Sequence, residues 1–183
     1  YHERLKQLRE CMEAEELGAV LLTDPSDIFY LTGYGTFEVS VHVALVVTHD
    51  NLLLQVPSIE MGPALTTTRV ENISGYRWES VEEVLDPLVE TLNNGIKKVA
   101  VDAWHGSLRT GVLDGLRTRL PSVRFVPGNG LLKQIRVVKS PAELEYLRKS
   151  ARITAKGLAA AREAVAPGMT DNDVAAVGAR ALI

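Results

Sequence analysis

Five short apolar runs constrain this chain more than anything else in it. "AVLLT" (19–23) is continuous, as a strand covered on both faces must be. "VHVALVVTH" (41–49) and "LLLQV" (52–56) meet through Asp50 and Asn51, the turn chemistry of an antiparallel hairpin. "KKVAVD" (97–102) and "SVRFV" (122–126) are two more strands, and "ENISG" (71–75) is a weaker one. Helical patterns lie between them. Leu5, Leu8 and Met12 recur at three and four residues in a helix over 2–16 that Gly18 ends, and Leu108, Val112, Leu116 and Leu120 share one face. Strands alternating with helices predict an α/β domain with a mixed sheet of about six strands flanked by helices, over residues 1–134.

Between the strands, "DPSD" (24–27) is a turn that can cap a short helix, and "PSIEMGPALTTT" (57–68) predicts a short helix interrupted by glycine. Residues 80–93 pose a conflict, because "SVEE" is a capping-box pattern while Pro87 breaks a helix begun at Ser80. The expectation is a helix with Asp86 as N-cap and Pro87 as its first residue.

The pattern changes after "PGNG" (127–130). Residues 135–140 are expected to be a linker. From Ser140 as N-cap and Pro141 at the first helical position, Leu144, Leu147, Ala151, Thr154, Leu158, Ala161 and Val165 form a narrow stripe at spacings of three and four. "PGMTDND" (167–173) stops that helix and starts another. A stripe this long needs a partner surface, so residues 141–183 are expected to begin a second domain that the chain does not complete.

Composition removes several function classes. A net charge of -3 and a pI near 5.8 disfavour a nucleic-acid or anionic-membrane partner, which selects a basic face. No apolar run approaches the roughly 18 residues of a membrane span, and no signal-peptide pattern opens the chain. A lone cysteine, Cys11, forms no internal disulfide and fits the cytoplasm as the expected compartment; beside Leu8 and Met12 it is a packing residue.

The search for chemistry within these residues returns little. His42 and His49, seven apart on one expected strand, face opposite ways and share no metal. Asp102 and His105 follow a strand end, where α/β active sites lie, but no serine or cysteine is evidently partnered with them, so they are expected to be loop residues. In "TDND" (170–173) Thr170 caps a helix while Asp171 and Asp173 meet its N-terminal dipole, which accounts for the carboxylates without a metal. "PGNG" lacks the Lys-Ser/Thr of a phosphate loop and is a turn. One loop remains: "SDIFYLTGYGT" (26–36) and Phe37 hold four of the chain's ten aromatic residues, Phe29, Tyr30, Tyr34 and Phe37, around Gly33 and Gly35. Phe29, Tyr30 and Leu31 are expected to plug a short helix into the sheet.

Three stretches in order resemble one family. "DIFYLTGYGT" after a buried strand, "LLKQIRVVKSPAELEYLRKSARIT" and "AVAPGMTDNDVAA" are similar to the signature loop, the interdomain junction and the helix–helix turn of the creatinase/prolidase family. The resemblance implies the N-terminal domain of a two-domain hydrolase such as Xaa-Pro aminopeptidase, prolidase or a creatinase-like amidinohydrolase, followed by the first helices of a pita-bread catalytic domain. It implies a homodimer, acting on a peptide or a small amidino compound. In the peptidase members two divalent metal ions (Mn, Co or Zn) activate a bridging water, held by residues downstream of Ile183. No catalytic or metal-binding residue is therefore expected in this chain. Creatinase itself works without metal, and its members use an arginine from the neighbouring subunit where Glu38–His42 here has none, which argues against creatine. In such dimers the N-terminal domain leans over its partner's active site, so Tyr34 and Phe37 are expected at a substrate lip, with Glu38 and His42 for polar selection. The alternative is a catalytically inactive peptide-binding module of the same fold, or a purely dimerising or regulatory domain.

Overall fold

The computed structural model describes residues 1–36, 40–77, 80–128 and 130–183. The elements run α1 (His2–Ala14), β1 (Ala19–Leu22), α2 (Pro25–Thr32), β2 (Ala44–Thr48), β3 (Leu52–Pro57), α3 (Met61–Thr67), β4 (Ile73–Tyr76), α4 (Val81–Leu92), β5 (Lys98–Val101), α5 (Thr110–Arg119), β6 (Arg124–Pro127), α6 (Leu131–Val137), α7 (Pro141–Ala164) and α8 (Asp171–Arg180). They form two compact units, Tyr1–Ile135 and Arg136–Ile183.

In the first unit the sheet order is β4-β3-β2-β1-β5-β6. β2 runs antiparallel to both β1 and β3, and every other pairing is parallel, so all strands but β2 point the same way. This is the expected α/β fold with its mixed sheet. Both faces are covered, which is why β1 is apolar at every position: Val20 and Leu22 join one core with Leu8, Met12 and Ile28, while Ala19 and Leu21 join the other with Leu88 and Leu116.

Several boundaries differ from expectation for identifiable reasons. α1 stops at Ala14 rather than 16; Glu16 turns the chain at φ 53, and Gly18 joins the sheet by donating to the Lys98 carbonyl at 2.9 Å. β2 is shorter than the apolar run, leaving His42 before it and His49 after it, not on one strand. α6 carries helix to Val137, inside the segment expected to be a linker.

The largest correction concerns Pro87. The helix begins at Val81 with Ser80 as its N-cap, Ser80 Oγ accepting from the Glu83 amide at 3.1 Å, and Pro87 sits inside it. An interior proline removes the amide that the carbonyl four residues back would use. Here that carbonyl belongs to Glu83, and Gln55 of β3 replaces the missing donor: its Nε2 reaches Glu83 O at 3.4 Å and Val84 O at 2.9 Å. The Ser80 cap thus wins over the breaker because a buried side chain from the sheet serves the broken turn.

In the second unit both helix starts carry full capping boxes, Ser140 with Glu143 and Thr170 with Asp173. Thr170's amide, then its hydroxyl, hold the Asp173 carboxyl below its ordinary range. α7 and α8 meet at small residues: a Cβ on Gly178 would lie 3.2 Å from that of Ala161. Leu147, Leu158 and Val165 of the stripe stay exposed.

Candidate functional site

The glycine-hinged loop follows α2. Asp24 caps that helix, accepting from the Ser26 amide at 2.8 Å, and Gly33 ends it in the left-handed region at φ 80. A side chain at Gly33 would also meet the Thr67 carbonyl at 3.2 Å. Thr32 Oγ1 donates to the Ile28 carbonyl at 2.7 Å and accepts from the Tyr34 amide at 3.1 Å, so the turn is tied to the helix it leaves.

The rings of this loop are distributed against expectation. Tyr34 is 1% exposed, whereas Phe29 is 53% exposed. Phe29 therefore does not plug the helix into the sheet; Ile28 and Leu31 do. Tyr30 is held under the Arg4 guanidinium, 4.0 Å from the ring centroid, and Arg4 donates to the Tyr30 carbonyl at 2.7 Å. The Tyr34 hydroxyl donates to Glu60, whose other carboxylate oxygen accepts from Thr36 Oγ1 at 2.6 Å. Burial first, and the Glu60 carboxylate second, push the Tyr34 phenol far above its ordinary range, which keeps it a hydrogen-bond donor to Glu60 at neutral pH. The outcome is a loop whose inner ring is fixed by one carboxylate. Phe37 and Glu38 lie outside the described residues.

His42 is buried as well, at 1% exposure. Its Nε2 lies 3.0 Å from Gln55 Oε1, its carbonyl accepts from the Tyr76 hydroxyl at 2.6 Å, and its ring tilts against Tyr76 with centroids 6.1 Å apart. Together with Arg109, Gly111, Val81 and Leu85 it lines a cavity of about 290 Å³. His49 is far from a ligand role too, its Nε2 lying 3.0 Å from the Leu17 carbonyl.

A second cluster forms where β1 and β5 end. Asp102 Oδ1 accepts from the amides of Trp104 and His105 at 3.0 and 3.2 Å, fixing the loop after β5. His105 Nδ1 lies 2.7 Å from Ser107 Oγ, Ser107 Oγ lies 2.9 Å from Thr23 Oγ1, and His105 Nε2 lies 3.5 Å from Asp24 Oδ2. No serine is evidently partnered with His105 in the sequence; the structure supplies Ser107. "HGS" was the available signal, but a His and a Ser two apart acquire meaning only once Asp24 arrives from another strand.

Among the described residues no three His, Cys, Asp or Glu side chains gather as a metal site, and no helix is long and apolar enough to cross a membrane.

Comparison with known proteins places the first unit. The creatinase/prolidase N-terminal domain family matches residues 4–138. Over 96% of its length the chain is 23% identical to an Xaa-Pro dipeptidase from Pyrococcus horikoshii, and over 98% it is 28% identical to a creatinase from a Bacillus species; it covers 46% and 44% of those proteins. The chain thus spans about half the length of the curated relatives it matches. The crystal structure of the Pyrococcus horikoshii prolidase superimposes with a TM-score of 0.78 at 22% identity, covering 98% of this chain and 48% of that one. With the family model matching residues 4–138, well over half of its length, the chain belongs to the creatinase/prolidase N-terminal domain family.

Proposed function

We propose that this chain is the N-terminal domain, non-catalytic in C–N bond cleavage, with the first catalytic-domain helices at 141–183, of a hydrolase of the Xaa-Pro dipeptidase or aminopeptidase type. The observation that carries this reading is the family match at 4–138 within relatives that are about twice as long. The pair of Mn, Co or Zn ions that the family implies is assigned to the catalytic domain; among the described residues no three His, Cys, Asp or Glu side chains gather as a metal site. The parent works as a cytoplasmic homodimer on peptides with proline at the second position; a small amidino substrate is the second choice, since Glu38–His42 contains no arginine.

The domain's contribution is a lip over the partner's pocket. Phe37 and Glu38 make it, continuing directly from the segment that Glu60 anchors through Tyr34 and Thr36. Buried Tyr34 and His42 serve from behind, as supports. An apolar ring at a pocket rim contributes about 1.4 kcal/mol, so Phe37→Ala in the full-length protein is expected to raise KM for Xaa-Pro dipeptides about tenfold. Steady-state kinetics across Xaa-Pro dipeptides, longer Xaa-Pro peptides and amidino compounds checks this. Unchanged kcat/KM for all of them in Phe37→Ala and Glu38→Gln removes the lip.

A further inference from the structure

The sheet topology marks one place for a ligand. β1 leads through α2 to β2 on one side, and β5 leads through α5 to β6 on the other. β1 and β5 are adjacent and parallel, so their connections leave in opposite directions. Open α/β sheets bind ligands outside the carboxyl ends of strands at such a switch point. Thr23 and Asp24 follow β1 there, and Asp102 to Ser107 follow β5.

The side chains at this point form a directed chain. The Ser107 amide donates to His105 Nδ1 at 3.3 Å, which makes Nδ1 an acceptor and places the ring proton on Nε2, toward Asp24. The Ser107 hydroxyl then donates to Nδ1 at 2.7 Å. Thr23, only 5% exposed, donates its hydroxyl to Ser107 Oγ at 2.9 Å. The backbone holds both carboxylates in place: Asp24 Oδ1 by the Ser26 amide, Asp102 by the Trp104 and His105 amides. A hydroxyl within hydrogen-bond reach of a base that a third group orients is the arrangement of an activated nucleophile.

We propose that Ser107 is the nucleophile of an acyl-transfer site for small carboxylic esters, with His105 as its base and Asp24 as the group that orients His105. Ser107 Oγ bonds to the acyl carbon while its proton passes to His105 Nδ1. The ester C–O bond breaks, and the alcohol leaves with that proton. Water then attacks the acyl carbon and gives a proton to Nδ1; the Ser107 C–O bond breaks, Ser107 regains its proton and the carboxylic acid departs. Nothing is oxidised or reduced, and water is the only co-reactant. Trp104, next in sequence to His105 and 87% exposed, offers a flat apolar face, so aryl esters are the preferred class.

The test uses the full-length protein in EDTA, so that no metal-bound hydroxide contributes. An alkyl fluorophosphonate probe and p-nitrophenyl acetate are the reagents, with peptide mapping of the labelled site. The expected result is label on Ser107 and a burst of p-nitrophenol, both lost in Ser107→Ala. Loss of the base in His105→Gln is expected to slow labelling about 100-fold while the circular dichroism spectrum is kept. Label on Ser107 no faster than in guanidine-unfolded protein, or a labelling rate unchanged in His105→Gln, overturns the proposal and leaves the cluster as a tie between two strand ends.

Discussion

Gln55→Leu is expected to cost about 2–3 kcal/mol, lowering Tm by roughly 6–10 °C, although leucine fits the apolar neighbourhood of β3. Gln55 is 0% exposed, and its amide bonds three groups: Oε1 to His42, just before β2, and Nε2 to the α4 carbonyls of Glu83 and Val84. A leucine keeps the volume and breaks all three bonds, each worth about 1 kcal/mol in a buried setting. The Glu83 bond has a specific cause, because Pro87 cannot donate to that carbonyl. A double-mutant cycle isolates it. Pro87→Ala returns an amide to the helix, so Gln55→Leu should cost about 1 kcal/mol less in that background. Chemical denaturation of the four proteins measures the difference, and strict additivity would show that Gln55 does not serve the broken turn.

Gly128→Ala is expected to be nearly as damaging, at about 2 kcal/mol, despite adding a single methyl group. The Gly128 amide donates to the Val101 carbonyl at 2.8 Å, drawing the end of β6 against β5. A Cβ there would lie 2.8 Å from the Ala100 Cβ and 3.1 Å from the Val101 amide nitrogen. Those neighbours are strand backbone and a core methyl, which cannot swing aside as a long side chain can. The Gly128 carbonyl also accepts from the Leu131 amide at 3.2 Å, at the start of α6, whose Leu132 is buried in the core. Displacing β6 therefore loosens α6 as well. Thermal unfolding of Gly128→Ala checks this, with Gly62→Ala as the control, because a Cβ on Gly62 meets nothing within 4 Å.

These two residues also show what could be read from the sequence and what could not. Signals that act within a few residues were legible: Ser140 and Thr170 announce their helices because an N-cap bonds three positions ahead, and the continuous apolar run at 19–22 announces a strand covered twice. Pro87 misled because the side chain that offsets it, Gln55, lies 28 residues from the Glu83 carbonyl it serves, on a strand whose position depends on the whole sheet. The loop at 26–36 was visible as a cluster of rings, but which ring turns inward was not. Glu60, 26 residues from Tyr34, decides that by offering a carboxylate to its hydroxyl. Likewise Thr23 and Ser107 are 84 residues apart and meet only because β1 and β5 pair in parallel. Family signatures reached further than local rules, since the stretches that carry them lie far apart, at 27–36, 131–154 and 164–176, yet they carry no information about side-chain contacts peculiar to this chain.

Cleavage of Xaa-Pro dipeptides by two proteins, the full-length protein and residues 1–183 alone, each with manganese, cobalt or zinc, bears most directly on the division of labour proposed above. The full-length protein should release proline with at least one of the metals, and residues 1–183 should leave every dipeptide intact while remaining folded. Proline release by residues 1–183 alone, or a full-length protein inert toward the whole panel, would contradict it.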